Sequence, residues 1–157
     1  MRRKDRLVTD IAEIKDILDK NDICRIGLKD EEGLYIVPLT YGYELNDDKL
    51  TLYFHGANEG RKVNAFKKEN EEVAFEIDEK TLLKGKDDIA CSYTYFYRSI
   101  IGVGYPSIIE DYEEKLRAMD ILLKNVTKKE SFRYVKAAFD SVMVMKVEVT
   151  KYTAKKH

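Results

Sequence analysis

The sequence has few of the residues that build metal sites. It contains two cysteines and two histidines in 157 residues. Cys24 and Cys91 lack the spacing of a metal-binding pair, and two histidines, one of them His157, cannot complete a four-ligand site. We therefore expect no metal, and we expect both cysteines to be reduced, buried and unreactive thiols within strands.

The sequence also lacks an excess of charge of either sign. Lys and Arg number 28 and Asp and Glu 29, which gives a formal net charge of -1. Such a chain has no general field to attract nucleic acid or anionic lipid. It has no apolar run of the roughly 20 residues needed to cross a bilayer, and no apolar secretory segment follows Met1–Arg6. We expect a cytoplasmic protein with neither a nucleic-acid nor a membrane partner.

The two common phosphate-binding motifs are missing as well. No glycine-rich dinucleotide fingerprint follows a predicted strand, and there is no Walker-type loop. Any bound phosphate must be held by another, local device.

The composition is that of a folded domain. Hydrophobic residues make up 44% and charged residues 36% of the chain, a balance that can bury a core and stay in solution. A length of 157 residues suits one domain, and no linker or repeat interrupts it. We predict a single domain over residues 1–157.

Hydrophobic periodicity in the first half predicts a helix, three antiparallel strands joined by hairpins, and a short second helix. The predicted helix covers Thr9–Lys20 and the strands Ile23–Leu28, Leu34–Tyr43 and Leu50–Phe54; the second helix begins near Gly60 and ends at Lys68.

The second half is predicted to be richer in strand. Its expected elements are a strand Val73–Ile77, a polar loop Asp78–Asp88, a long strand Ala90–Tyr105 bent at Gly102 and Gly104, helices Tyr112–Asn125 and Phe132–Ala138, a strand Val142–Val149 and a frayed basic tail Lys151–His157. At least six strands with few helices favour a mainly β (α+β) fold with a closed antiparallel sheet over a parallel α/β sheet.

The segment from strand to helix around residue 55 is the first candidate site. His55 is expected to project, within reach of a ligand, from a strand end, and it is the only imidazole placed to act as an acid or base. After it, Gly60 opens a helix with two adjacent cations, Arg61 and Lys62, beside free backbone N–H groups. A phosphate fits there; the alternative is an ordinary solvated basic helix start.

Two further segments have unusual strand chemistry. Pro38 indicates a strand edge, a bulge, or a place where a ligand replaces the neighbouring strand. Between Cys91 and Gly104, alternation puts tyrosines on one face and Phe96 and Arg98 on the other, so that both faces mix aromatic and polar groups. Such a strand suits an interface or a stacked aromatic ligand, although tyrosines are also frequent in ordinary strands.

Together these segments resemble the pyridoxamine 5'-phosphate oxidase-related flavoproteins, and most closely the 5-nitroimidazole-resistance (Nim) proteins among them. The resemblance spans nearly the whole chain and rests on residues 1–6, 35–39, 52–55, 59–62, 91–94 and 97–99.

The resemblance implies a six-stranded split β-barrel that forms a homodimer with two FMN sites at the interface. By resemblance, Arg61 and Lys62, behind Gly60, bind the flavin phosphate. The residues that border the isoalloxazine ring or reach the flavin are then Ile36, Val37, Pro38, Leu39, Thr40, Phe54, His55, Arg98 and Ser99. The chain departs from the vitamin oxidases in having Thr40 in place of a lysine and in lacking their C-terminal motif with Trp and Arg, which speaks against pyridoxamine phosphate as substrate.

The expected activity is that of an FMN-dependent oxidoreductase. Electrons pass from NAD(P)H through FMN, or FAD in its place, to a small oxidised substrate such as a nitroimidazole, with His55 as the catalytic residue. Two alternatives stay open: a haem-binding split barrel with a histidine as axial ligand, and a flavin-binding module without turnover.

Overall fold

The computed structural model describes residues 3–68 and 70–157. A 3₁₀ turn, Lys4–Arg6, precedes the first strand. The elements that follow are β1 (Leu7–Val8), α1 (Ile11–Lys20), β2 (Ile23–Asp30), β3 (Gly33–Asn46), β4 (Lys49–Ala57), α2 (Arg61–Phe66), β5 (Val73–Lys86), β6 (Ile89–Ile108), α3 (Tyr112–Thr127), α4 (Lys136–Asp140) and β7 (Val142–Lys156).

All the strands described belong to one antiparallel sheet. Its order is β1-β7-β4-β3-β2-β5-β6, and β6 pairs with β7 so that six strands close into a barrel. The seventh strand, β1, lies beside the end of β7, where Leu7 pairs with Lys155 and Val8 with Ala154. The predicted mainly β split barrel is confirmed, with one short strand more than the six expected.

Alternation along the strands places the core inside the barrel. The largest fully buried side chains include Tyr41, Phe54, Phe66, Ile77 and Ile100. A second cluster, built from Tyr53, Ala118, Met119, Phe139 and Val144 among others, joins the helices to the outside of β4 and β7. The sheet therefore carries helices on only part of its outer face.

The packing of α3 on β3 depends on Gly42. A methyl group at this position would lie 2.4 Å from the Leu122 Cα atom, so the helix backbone rests directly on the strand. Asn125 of α3 donates a hydrogen bond of 3.0 Å to the Tyr41 carbonyl, and the Tyr41 hydroxyl donates one of 2.8 Å to Leu18 of α1. These contacts fix both helices on the same strand.

The prediction of a polar loop over Asp78–Asp88 is wrong. Strand β5 continues to Lys86 and pairs with β6, with bulges near Lys80 and Lys84. Both faces of this ribbon are exposed, so its sequence shows no buried face and resembles a loop. Cys91, expected to be buried, is exposed on the same ribbon, whereas Cys24 is buried as expected.

The prediction of a frayed tail over Lys151–His157 is also wrong. Strand β7 runs to Lys156 between β1 and β6, with Ala154 only 1% exposed. The His157 ring stacks on Phe96 with centroids 4.8 Å apart, and the Arg6 guanidinium lies 3.0 Å from its Nε2 atom. Residues distant in sequence hold this basic segment in place, and no pattern within the segment predicts these contacts.

Smaller differences concern element ends. Helix α4 begins at Lys136 and not at Phe132, and β3 extends to Asn46. Helix α1 begins at Ile11, where the Asp10 carboxylate accepts a hydrogen bond of 3.0 Å from the Ala12 N–H. Of the helices described, none is long and apolar enough to cross a membrane.

Candidate functional site

The candidate site is an opening between β3 and β4. These strands pair from Asn46 and Lys49 as far as Tyr41 and Phe54. Beyond that point β4 follows β7 to Ala57, while residues 33–40 of β3 pair with β2 alone. No strand of the described chain lies on the other edge of residues 33–40, so backbone polar groups on that edge are available to a ligand.

Pro38 lies within this half of β3. Proline is tolerated where a strand has an open edge, because its missing N–H then breaks no ladder. The sequence left three explanations open for Pro38, and the geometry favours the open edge.

The predicted residues of β3 fall on two faces. Ile36 is 71% exposed on the outer face, together with Pro38 and half-buried Thr40. Val37 and Leu39 turn inward and pack against the core. The outer residues can contact a ligand with their side chains, whereas Val37 and Leu39 can offer only their backbone.

His55 lies where β4 leaves β3. Its ring is half-buried, less accessible than expected, and its buried Nδ1 atom has no hydrogen-bond partner in the described structure. Burial lowers the pKa of His55 below its ordinary value, and the nearby Lys62 ammonium lowers it further. The imidazole is therefore neutral near pH 7.

Phe54 supports this site from behind. Its side chain is fully buried and packs edge-on against Phe66, with ring centroids 6.3 Å apart. Its ring therefore belongs to the core, and its backbone pairs with both β3 and β7, so Phe54 marks where the opening begins and is not a direct ligand contact.

Helix α2 follows the opening and has only six residues. Gly60 precedes it with φ of 113°, a conformation that glycine adopts without strain, and no side chain of the described residues caps the helix. A helix this short contributes little dipole, so the charge near its start comes from Arg61 and Lys62 themselves.

The Arg61 side chain turns toward the β2–β3 turn. Its Nε and Nη2 atoms bond both carboxylate oxygens of Asp30, at 2.5 and 2.7 Å, and its Nη1 lies 3.5 Å from Glu32. The guanidinium also lies over the Tyr35 ring, 4.0 Å from the centroid. This bidentate pair holds the pKa of Asp30 below its usual range.

Lys62 takes the opposite direction. A methyl group on Gly56 would lie 2.7 Å from its Cε atom, which places the lysine against β4 beside His55. Within residues 3–68 and 70–157, no carboxylate pairs with it. The two adjacent cations thus face different surroundings, and Lys62 is the one without a counter-charge.

A cleft of about 450 Å³ lies between the β2–β3 turn and α2. Its lining is charged with both signs and includes Asp30, Glu31, Glu32, Gly60, Arg61, Asn64 and Lys68. This mixture differs from the purely cationic corner that the sequence suggested.

The remaining two predicted residues lie elsewhere in the same chain. Arg98 of β6 forms ion pairs with Asp16, at 2.5 Å, and with Glu79. Ser99 is buried next to a small cleft of about 230 Å³ between β6 and β7. Strands β2 and β5 separate β3 from β6, so one chain does not bring these residues to the opening.

Two residues of the opening were not among the predicted site residues. Asp30 belongs to an acidic segment whose sequence pattern predicts only a turn, and its partner Arg61 is 31 residues away. Tyr35 has a buried hydroxyl that lacks a hydrogen-bond partner among the described residues. Two buried polar atoms, the Tyr35 hydroxyl of β3 and Nδ1 of His55 on β4, thus lack a hydrogen-bond partner among the described residues.

A closed antiparallel sheet that opens between two of its strands defines the class of split β-barrel proteins. Residues 10–156 match the family model described as pyridoxamine 5'-phosphate oxidase. The chain belongs to this family, and the resemblance seen in the sequence is confirmed.

Solved structures give the same picture. A candidate 5-nitroimidazole antibiotic resistance protein from Bacteroides thetaiotaomicron VPI-5482 is 35% identical, with a TM-score of 0.79 over 96% of this chain and 86% of that one. The flavocytochrome Anf3 from Azotobacter vinelandii is 19% identical, with a TM-score of 0.78 over 100% of this chain and 72% of that one. A FAD and heme binding protein from Mycobacterium smegmatis is 15% identical, with a TM-score of 0.78 over 96% and 73%. The last two likenesses concern the fold alone. No curated protein matches the chain significantly.

Proposed function

We propose that the chain is an FMN-dependent oxidoreductase of the nitroimidazole-reductase type, which passes electrons from NAD(P)H to a small oxidised substrate. The observation that carries the proposal is the open edge of β3 beside His55 and Lys62, in a member of this family. The similarity to the Bacteroides resistance protein favours a nitro compound as substrate. The flavin and haem proteins among the structural relatives favour a prosthetic group.

The opening has the groups that a flavin needs. Its isoalloxazine ring is planar, with one polar edge, and the free backbone of residues 33–40 can bond that edge while Ile36 and Pro38 pack against the ring. Lys62 and Arg61 supply positive charge for the phosphate, and the longer FAD could use the same ring site.

When bound, the flavin supplies hydride transfer from nicotinamide and electron transfer to the substrate. The chain would position the reactants at the open edge of β3. Because its pKa is lowered, the His55 imidazole is neutral and can accept a proton or a hydrogen bond at its unpartnered Nδ1 atom. His55 therefore orients the substrate or the flavin, and donating a proton is its lesser role near pH 7.

A homodimer would complete the site. A row of aligned residues crosses the outer sheet face, where Ile36 faces Gly27, Gly27 faces Ala74 and Ala74 faces Val103. Beside this row, Leu34 and Ile101 are 84% and 53% exposed. This apolar stripe suits an interface between two copies, which could bring Arg98 and Ser99 of one copy toward the opening of the other.

The proposal is tested by the absorbance spectrum of the purified protein, followed by mass spectrometry of what denaturation releases. We expect flavin absorbance and released FMN. Stopped-flow mixing with NADH or NADPH should then bleach the flavin, and a nitroimidazole should restore it. A Soret band without flavin would favour the haem-binding alternative, and flavin that neither nicotinamide reduces would leave a binding module without turnover.

A further inference from the structure

The partners of Arg61 leave little of its guanidinium free. Arginine has five N–H donors in a fixed fork. In this structure Nε donates to Asp30, Nη2 donates to Asp30 and, at 3.4 Å, to the Gly33 carbonyl, and Nη1 faces Glu32. The Tyr35 ring covers one flat side of the group. A phosphate could therefore reach only the Nη1 N–H groups, which face Glu32, without displacing a hydrogen-bonded partner.

Asp30 is itself held in place for this role. Its Oδ1 atom accepts a second hydrogen bond, of 3.0 Å, from the Glu32 N–H, which fixes the carboxylate in the turn. Its side chain is only 12% exposed, whereas that of Glu32 is 78% exposed. The Asp30–Arg61 pair is thus the ordered one, and Glu32 is a looser neighbour.

An anion entering this cleft meets negative as well as positive charge. Asp30, Glu31 and Glu32 line it together with Arg61 and Lys68. A flavin phosphate must either displace Asp30 from Arg61 or lie beside that carboxylate, and like charges at such distances repel.

We propose that Asp30 is a specificity-determining residue which competes with the flavin phosphate for Arg61 and so weakens binding of phosphorylated flavin relative to riboflavin. This inference rests on the proposed flavin site. It means that Lys62 makes the first contact with the phosphate and that Arg61 joins only when it leaves Asp30. Asp30 acts as an internal anion that already occupies Arg61 when no phosphate is bound.

The test compares the affinities of FMN and riboflavin for the wild-type protein and for Asp30→Asn, measured by quenching of flavin fluorescence. The asparagine keeps an oxygen that can accept from the Glu32 N–H, while it removes the charge and replaces the oxygen that accepts from Arg61 Nε by an NH2 group. We expect Asp30→Asn to bind FMN about three- to tenfold more tightly, because it removes one close like charge and frees Arg61. The affinity for riboflavin, which has no phosphate, should not change.

Glu31→Gln is the matched control. It removes one negative charge from the same cleft, but Glu31 forms no ion pair with Arg61 in the described structure. It should change FMN affinity by less than about twofold, because an exposed charge is screened by solvent. In an Arg61→Ala background, Asp30→Asn should raise FMN affinity by no more than Glu31→Gln does in the wild-type background. Thermal melting checks that the variants fold. Glu32→Gln, which also removes a partner of Arg61, should raise FMN affinity as Asp30→Asn does, but by less.

Unchanged or weaker FMN binding by folded Asp30→Asn would overturn the inference, as would an equal gain for riboflavin. If Asp30→Asn does not fold, Glu32→Gln decides by the same comparison. If the wild type and all variants bind neither flavin, the proposed function fails and the inference fails with it. FMN bound equally by every variant contradicts the inference alone.

Discussion

The adjacent cations Arg61 and Lys62 lie in different surroundings, and their contributions to binding should differ accordingly. Lys62 lies against β4 with no carboxylate beside it in the described structure, whereas Arg61 already has Asp30. The sequence could not separate the two residues, because the acidic partner comes from a turn 31 positions earlier.

Lys62→Ala should therefore weaken FMN binding by about tenfold, the loss of one charge-assisted contact. Arg61→Ala should weaken it by no more than about threefold, since that residue gives up a partner in order to bind. Titration with FMN measures both, with riboflavin as the control ligand. A larger loss in Arg61→Ala than in Lys62→Ala would contradict this assignment.

The environment of His55 predicts a role for this residue in turnover. Because its Nδ1 atom is unpartnered and its ring is neutral, His55→Ala should leave flavin content unchanged but lower the rate of substrate reduction by about 10²-fold or more. The rate of flavin reoxidation by substrate is the measurement. Full activity in a flavin-loaded His55→Ala variant would remove the catalytic role.

The lowered pKa of His55 also predicts how stability depends on pH. Its pKa is lowered in the folded protein from an ordinary value of 6.5, so below that pH the unfolded chain binds the extra proton first. The free energy of unfolding should therefore fall as the pH drops below about 6.5, and it should stop falling once the pH is below the folded pKa. Urea unfolding at several pH values measures this slope, which His55→Gln should reduce; an unchanged slope in that variant would contradict the assignment.

At the scale of elements, the sequence predicts best where one face of a strand is buried. The alternation in β2, β3 and β4 gave their positions to within a few residues, and α3 was found from its apolar spacing. The outer half of β5 was missed because both faces meet solvent, and the end of β7 because its partners are β1 and β6. In both segments, strand formation depends on pairing with residues distant in sequence, which the local sequence does not show.

The docked end of β7 can be tested at Ala154, which is buried between β1 and β6. Ala154→Glu should lower the free energy of unfolding by about 3 kcal/mol or more, because it buries a charge without a partner. Lys151→Ala, at an exposed position of the same strand, should change it by less than about 0.5 kcal/mol. Equal stability of the two variants would indicate that the end of β7 is frayed after all.

For the whole molecule, the fold was predictable from the sequence to a greater extent than the site. Strand count, turns and family motifs together indicated the barrel, whereas Pro38 left a strand edge, a bulge and a ligand in place of a strand as alternatives. The acidic counter-charge of Arg61 and the separation of Arg98 from the opening depend on long-range pairing, which one sequence does not display.

The proposed dimer is also a property of the whole molecule. Ile36→Glu places a charge at the β3 end of the apolar stripe and should convert a dimer to a monomer in sedimentation velocity. Val135→Glu, at another well-exposed apolar position, next to α4, is the control and should leave the assembly unchanged. A monomeric wild type, or a dimeric Ile36→Glu variant, would contradict the stripe as the interface.

Hydrogen–deuterium exchange with and without FMN tests the central claim most directly. If the flavin lies in the opening between β3 and β4, FMN should slow exchange of the backbone amides in residues 33–40 and 55–62. The tip of the β5–β6 ribbon around Asp87, remote from the opening along the sheet, should serve as an internal reference. Protection confined to other strands, or no protection at a saturating concentration of FMN, would contradict the account.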